Sequence, residues 1–232
     1  MQFAIVAFCI TALGFSMPAA AQNKNNKEIS EAAKTSQKAT KALNEIMEIR
    51  DRSIPQDLLD KAKAIAVFPN VIKAAFIVGG RGGKGLISRR VRGGWSAPAF
   101  FKLGGGSLGF QIGGSSTDVV MLFMTDDSLK NLIESKFEIG ADASVAAGPI
   151  GRTAQASTDA QLQAAILSYS RSKGLFAGVS LSGAVIKPDN DANRALYSME
   201  AKDMLTGPNK IPLDKIPPAT KPFQQTLTPY SK

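Results

Sequence analysis

Hydrophobic and polar positions along this chain change their period twice. Residues 3–15 are an almost unbroken apolar run, followed by Ser16, Met17, Pro18 and then Ala19-Ala20-Ala21. A dozen apolar residues, a helix breaker and an A-x-A site form the pattern of a secretory signal peptide over 1–21, too short to span a bilayer as a helix. Residues 23–52 are polar and rich in Lys, Glu and Ala, with Ile29, Ala33, Ala39, Leu43, Ile46, Met47 and Ile49 recurring at helical spacing. This predicts an N-terminal amphipathic helix within 22–54, stopped by Ser53-Ile54-Pro55 and packed on the domain by its apolar stripe. A short second helix is expected over 55–62.

From Ala64 the period shortens to that of strands. Segments 64–68, 72–78, 86–92, 98–103 and 107–112 are short and rich in β-branched or aromatic residues, and thirteen of the 21 glycines lie between Gly79 and Gly114. The reading is a meander of hairpins with tight glycine turns. Segment 117–124 is apolar enough for a central strand, and Asp126 or Asp127 would cap a helix running to Lys136. Segments 137–147, 162–172 and 175–186 read as further antiparallel strands, and a last helix runs from Asp189 towards Leu205. Six of the twelve prolines follow Gly207, which predicts an extended tail over 207–232 with little structure. The expected fold is α+β, with a strongly twisted antiparallel sheet or barrel-like sandwich over 55–206, flanked by the N-terminal helix and a few short ones.

Composition removes much of enzymology. The chain of 232 residues has no histidine, and its one cysteine, Cys9, lies in the leader. Disulfides, Cys/His zinc sites, thiolate or imidazole ligation of haem, cysteine nucleophiles and Ser-His-Asp triads are therefore excluded from the mature chain. The net charge of +9 is unevenly placed. Between Asp60 and Asp118 there is no carboxylate, while Lys61, Lys63, Lys73, Arg81, Lys84, Arg89, Arg90, Arg92 and Lys102 are all basic. Such a block reads as a contact surface for an anionic partner. Arg90 and Arg92 would share one strand face, and Trp95, Phe100 and Phe101 could sit at a headgroup boundary. For Trp95 alone a place in the core is the simpler account.

Other motifs carry less. Gly80-Arg81-Gly82-Gly83-Lys84-Gly85 and Gly104-Gly105-Gly106-Ser107-Leu108-Gly109 match G-x-G-x-x-G, but both lead into strands and lack the helix N-terminus that a dinucleotide site needs. Ser170 and Lys173 fit S-x-x-K without its companion motifs. Asp189, Asp191, Asn193 and Glu200 fall on calcium-loop spacing, but Arg194 stands where a glycine must turn the loop. An N-cap by Asp189 or Asp191 explains the acidic cluster more simply, and calcium binding stays open.

Six motifs appear in order: Ala64-Ile65-Ala66-Val67-Phe68-Pro69, Gly79-Gly80-x-Gly82-x-x-Gly85, Trp95-Ser96-Ala97-Pro98-Ala99-Phe100, Gly109-x-Gln111-Ile112-Gly113, Ala147-Gly148-Pro149-x-Gly151-Arg152 and Ser168-Tyr169-Ser170-x-Ser172-Lys173-Gly174-Leu175-Phe176-Ala177-Gly178. Over about Pro55 to Tyr197 the chain resembles the SYLF-domain family, in its stand-alone, exported bacterial form. The resemblance implies a lipid-binding module without catalytic activity. Its eukaryotic members bind phosphoinositide membranes and, in some cases, actin filaments. The expected contact set is Arg81, Lys84, Arg89, Arg90, Arg92 and Lys102 for phosphates, with Trp95, Phe100 and Phe101 for apolar surface. The expected partner is an anionic phospholipid membrane met from the periplasmic or extracellular side. No metal, cofactor or nucleic acid is expected. The alternative is a protein-interaction or scaffold module that engages its partner through the N-terminal helix.

Overall fold

The stretch rich in Ala, Lys, Glu and Gln consists largely of strong helix formers. It folds as one long helix, α1 (Ala19–Met47). Its buried positions are Ala32, Ser36, Ala39, Ala42, Leu43 and Ile46, a stripe at three- and four-residue steps. The computed structural model describes residues 19–48, 53–76, 78–108, 113–134, 136–151, 163–172, 175–179, 181–206, 211–212 and 215–230. The expected leader up to Pro18 lies outside these residues, as does Lys173. A short helix, α2 (Gln56–Lys61), follows α1 and buries Leu58 and Leu59.

Ten strands then build one curled sheet: β1 (Ala64–Phe76), β2 (Val78–Val91), β3 (Gly94–Trp95), β4 (Ala99–Leu108), β5 (Gly113–Phe123), β6 (Phe137–Glu138), β7 (Val145–Ala147), β8 (Ile166–Ser172), β9 (Leu175–Gly178) and β10 (Val185–Pro188). The order across it is β6-β10-β4-β2-β1-β5-β8-β7, with β3 added to β2 and β9 to β8. Helix α3 (Asp126–Glu134) lies between β5 and β6. Helices α4 (Asn190–Tyr197), α5 (Ala201–Thr206) and α6 (Lys221–Thr226) follow the last strand.

Five expectations change. The sheet is mixed, because β7 runs parallel to β8 (Val145↔Ile166 to Ala147↔Ser168); the eighteen residues between these strands are long enough for the crossover that a parallel pair needs. The two apolar segments 64–68 and 72–78 belong mostly to one strand, not two. β1 passes through Pro69 by a bulge, its register slipping against both β2 and β5, which is where a strand tolerates proline. The glycine runs are mostly strand residues rather than turns: Gly79, Gly80, Gly82, Gly83 and Gly85 lie in β2 opposite Ser107, Gly106, Gly104, Leu103 and Phe101 of β4. Finally, the proline-rich end is not an extended tail. It folds as α6 and a 3-10 turn (Thr228–Tyr230), burying Phe223 and Leu227. Proline near the start of α6 is compatible with the helix, since its missing N–H is not needed there. The expected last helix is likewise two, broken at Ser198, whose left-handed φ of 54° closes α4.

Two apolar layers cover the sheet. On one face Phe101, Leu103, Met121, Phe123 and Ile166 meet α3 and α5 through Leu132, Ile133, Met204 and Leu205. On the other, Val67, Leu86, Phe100, Val120 and Leu122 meet α1, α2 and α6.

Candidate functional site

The basic block is acid-free only along the sequence. In the fold, Lys84 of β2 lies directly across from Lys102 of β4, which lies across from Lys187 of β10. Like charges opposite one another on a sheet repel. Asp189, 1% exposed, offsets the repulsion, with Oδ1 2.7 Å from Lys102 Nζ and Oδ2 3.6 Å from Lys84 Nζ. Lys84 also donates to Glu31 of α1 at 2.7 Å and lies 3.8 Å from Glu28. Burial opposes the charge on Lys84, but the hydrogen bond to Glu31 and the neighbouring carboxylates outweigh it, so its pKa is raised. The hydrogen bond and charge of Lys84 lower the pKa of Glu31. Lys63 is offset in the same way, 3.3 Å from Asp126.

The arginines divide between tasks. Arg81 donates to the Ser182 carbonyl at 3.1 Å. Arg90 turns inward, donating to the carbonyls of Ala62 (3.0 Å) and Tyr230 (3.2 Å) and to that of Leu59, with its guanidinium 4.3 Å from the centre of the Trp95 ring. Burial lowers its pKa. Arg89 lines a cavity with Leu129 and Ile133 of α3 and Leu205 of α5. Arg92 is exposed in the turn between β2 and β3. Arg90 and Arg92 therefore do not form the expected pair on one strand face.

The aromatic part of the expected contact is corrected. Trp95 is 1% exposed and donates its indole N–H to the Tyr230 carbonyl at 2.9 Å. Phe100 and Phe101 point into the two opposite cores. All three rings fill space between sheet and helices, so none is presented to solvent.

The other motifs resolve into structure. Ser170 pairs within β8 against Val119 and Ala177. Among the carboxylates at calcium-loop spacing, Asp189 faces the two lysines, while Asp191 and Glu200 both pair with Arg194. Asn193 clamps β4, accepting from the Phe100 N–H at 2.7 Å and donating to its carbonyl at 3.1 Å. Asp189 occupies the N-cap position of α4 without capping it through its side chain. No cluster of three or more metal-ligating residues occurs among the described residues, and no described helix is long and apolar enough to cross a membrane.

Sequence reasoning missed a second charged cluster. Arg171 of β8 pairs with Asp118 of β5 at 2.8 Å and with Glu45 of α1. Asp118 also accepts the backbone N–H of Asn70 at 3.0 Å, holding the β1 bulge in place. Nothing local signals this cluster, since its members come from α1, β1, β5 and β8. The cations Lys34, Lys38 and Lys41, at four- and three-residue steps on α1, were legible as one helix side.

Comparison with known proteins fits this architecture. The family model described as "Ysc84: Las17-binding protein actin regulator" matches residues 104–230. "LAS seventeen-binding protein 3" of Saccharomyces cerevisiae is 39% identical over 183 residues, covering 76% of this chain and 39% of that protein. "SH3 domain-containing YSC84-like protein 1" of Homo sapiens is 35% identical over 197 residues, covering 81% of this chain and 57% of its own length. The chain thus spans between about two-fifths and three-fifths of the length of these relatives. By the matched segment and these identities, the chain belongs to the Ysc84-type, SYLF-domain family.

Proposed function

We propose that this chain is a non-catalytic binding module that associates with anionic phospholipid membranes. The observation that carries the reading is one end of the sheet. Ile72 of β1 and Leu175 of β9, 60% and 71% exposed, are the exposed large hydrophobic side chains among the described residues. Both lie at that end: Ile72 is opposite Ser116 of β5, and Leu175 is opposite Ser172 of β8, whose hydroxyl donates to the Ser116 carbonyl at 3.4 Å. Lys73, next to Ile72 in β1, is exposed as well, its side chain on the opposite face of the strand. Apolar side chains and an exposed cation at the same end of a sheet suit a surface that is anionic outside and apolar beneath. With the expected leader, the module would act on a membrane facing the exported compartment. Of the expected basic set, Arg92 remains available at the surface, whereas Lys84, Lys102 and Arg90 are committed to internal partners.

The test is co-sedimentation of residues 19–232, which begin at α1, with phosphatidylcholine vesicles with and without phosphatidylglycerol. Binding to the anionic vesicles should weaken as salt rises towards about 0.15 M, where the Debye length is about 8 Å. Equal binding to neutral vesicles, or none to either, would sink the lipid reading.

A protein partner is the second reading, favoured by relatives named as binding proteins and an actin regulator. Deleting α1 would not test it cleanly, because Ala39, Leu43 and Ile46 are wholly buried in the fold. Charge reversal at the exposed Lys27 and Lys34 should instead abolish capture of a partner while leaving thermal stability unchanged. Unaltered capture would argue against a partner seated on α1.

A further inference from the structure

Along the outer side of α1, where the helix crosses the β1 bulge, two cavities of about 360 and 310 Å³ adjoin, sharing Lys38 and Asn70 in their walls. The first holds Lys41 and Arg171, together with Glu45 and Asp118; the second ends at Ile72 and Lys84. Lys84 is already offset by Glu31 and Asp189, so Lys38, Lys41 and Arg171 are the cations that face the two carboxylates. The two acids are already engaged by Arg171, which fixes that guanidinium and leaves its Nε buried without a hydrogen-bond partner. Lys38 is exposed and has no ion pair among the described residues, and Lys41 reaches Glu45 only at 3.8 Å while staying 75% exposed. The bulge shapes this groove. Asn70 takes a φ of 51° and is pinned by Asp118, which brings Ile72 to the lip.

Beyond Ile72 the backbone of β1 and β2 continues as a hairpin to the Phe76↔Val78 pair. Those four further residues of β1 extend about 13 Å at strand rise. The positions carry Ala74, Ala75, Phe76 and Val78, with no charge after Lys73. β5 and β4 accompany the strand pair to this end of the sheet, with Ala75 opposite Gly113 and Val78 opposite Leu108, and the cationic groove is set behind Ile72.

We propose that the groove between α1 and the β1 bulge receives the phosphate of an anionic phospholipid headgroup, the bilayer meeting the molecule end-on so that Ile72 enters its interface. This rests on the membrane reading above and replaces its diffuse basic surface with a located site. Lys38 and Lys41 supply mobile charge, Arg171 a fixed donor, and Ile72 the apolar anchor. The geometry suits a bilayer-borne phosphate rather than a free one, because charge and exposed apolar surface occur together.

The experiment compares residues 19–232 with Lys38→Ala/Lys41→Ala, with Ile72→Ser, and with Lys61→Ala/Lys202→Ala. The last pair removes the same charge at the far end of the sheet, where Lys61 precedes β1 and Lys202 lines the cavity beside Arg89. All altered positions are solvent-exposed, and unchanged thermal melting serves as the check on folding. In phosphatidylglycerol-containing vesicles, losing two membrane-facing lysines should weaken binding about thirtyfold, and the distal pair by less than about threefold. Ile72→Ser should lower binding by a factor that persists when salt is raised, since it removes apolar contact. Equal losses for the two lysine pairs would overturn the groove while leaving membrane association standing. Failure of the unaltered protein to bind anionic vesicles would remove the membrane reading and the groove with it.

Discussion

Gly85 of β2 shows how closely the neighbouring strand β1 approaches it. A Cβ there would stand 2.5 Å from the Phe68 ring and closer still to the Val67 carbonyl oxygen. Gly85→Ala should cost about 3 kcal/mol of unfolding free energy in chemical denaturation, the upper part of the range for overpacking. Gly106, on the neighbouring strand β4, has nothing within 4 Å of its would-be Cβ, and Gly106→Ala should stay within about 0.5 kcal/mol. Asn193 is a second single-residue dependence. Its wholly buried amide satisfies the Phe100 N–H, whereas the Phe100 carbonyl has a further donor in the Asp189 N–H at 2.9 Å. Asn193→Ala should therefore cost about 2 kcal/mol, the penalty of one buried donor left without a partner. The same denaturation experiment measures it.

Among the elements, the C-terminal segment and α1 hold the face of the sheet that carries Trp95. Ending the chain at residue 220 removes Phe223 and Leu227, both 0% exposed, and the Tyr230 carbonyl that accepts from Trp95 and Arg90. At roughly 2 kcal/mol for each buried side chain, such a chain should lose about 4 kcal/mol, and the emission of its single tryptophan should move to the red. Helix α1 is also latched to the sheet by the Glu31–Lys84 hydrogen bond. Because Lys84 lowers the pKa of Glu31, this contribution is complete above the ordinary carboxylate range and fades as pH falls through the lowered value. Lys84 has a raised pKa, so its own contribution is lost only when pH climbs past the ordinary lysine range. The difference in melting temperature between the wild-type protein and Glu31→Gln should be flat near neutrality and vanish on acidification. A difference that persisted in acid would show that Glu31 acts by packing.

On the scale of the molecule, the sheet places charge and apolar surface at one end and the tryptophan at the other, under α2 and the C-terminal turn. Membrane association by the Ile72 end should therefore leave Trp95 emission unshifted and poorly quenched by acrylamide, with and without anionic vesicles. A blue shift on vesicle binding would favour the aromatic contact that the sequence suggests. The amphipathic helix, the onset of strands at Ala64, the helix after Asp126 and the family motifs are all legible in the sequence, because period and short motifs are local; the caps were not, since Thr125 rather than Asp126 or Asp127 accepts the Ser128 N–H of α3 and Asp189 makes no side-chain cap. The apolar stripe of α1 was partly legible too: Ala39, Leu43 and Ile46 are as expected, while Ser36 is buried only because α1 lies flat against the sheet. Pairing was not legible. Nothing in a run of basic residues says that Asp189, 87 positions from Lys102, will lie 2.7 Å from it. Nor does a proline-rich end announce that Phe223 will find a core.

By itself the sequence determined the α+β class, the absence of His and Cys chemistry from the folded part, the excess of positive charge and the membership of the SYLF-domain family. These follow from composition and short-range pattern, which survive without knowledge of what folds against what. Only the tertiary structure decided which charges are offset and which remain available. It also put Trp95, Phe100 and Phe101 inside, ran the glycines through the strands, and set Lys38, Lys41 and Arg171 around one groove. Electrostatic compensation and burial depend on distance in space, and the folded sheet brings together residues that the chain keeps far apart.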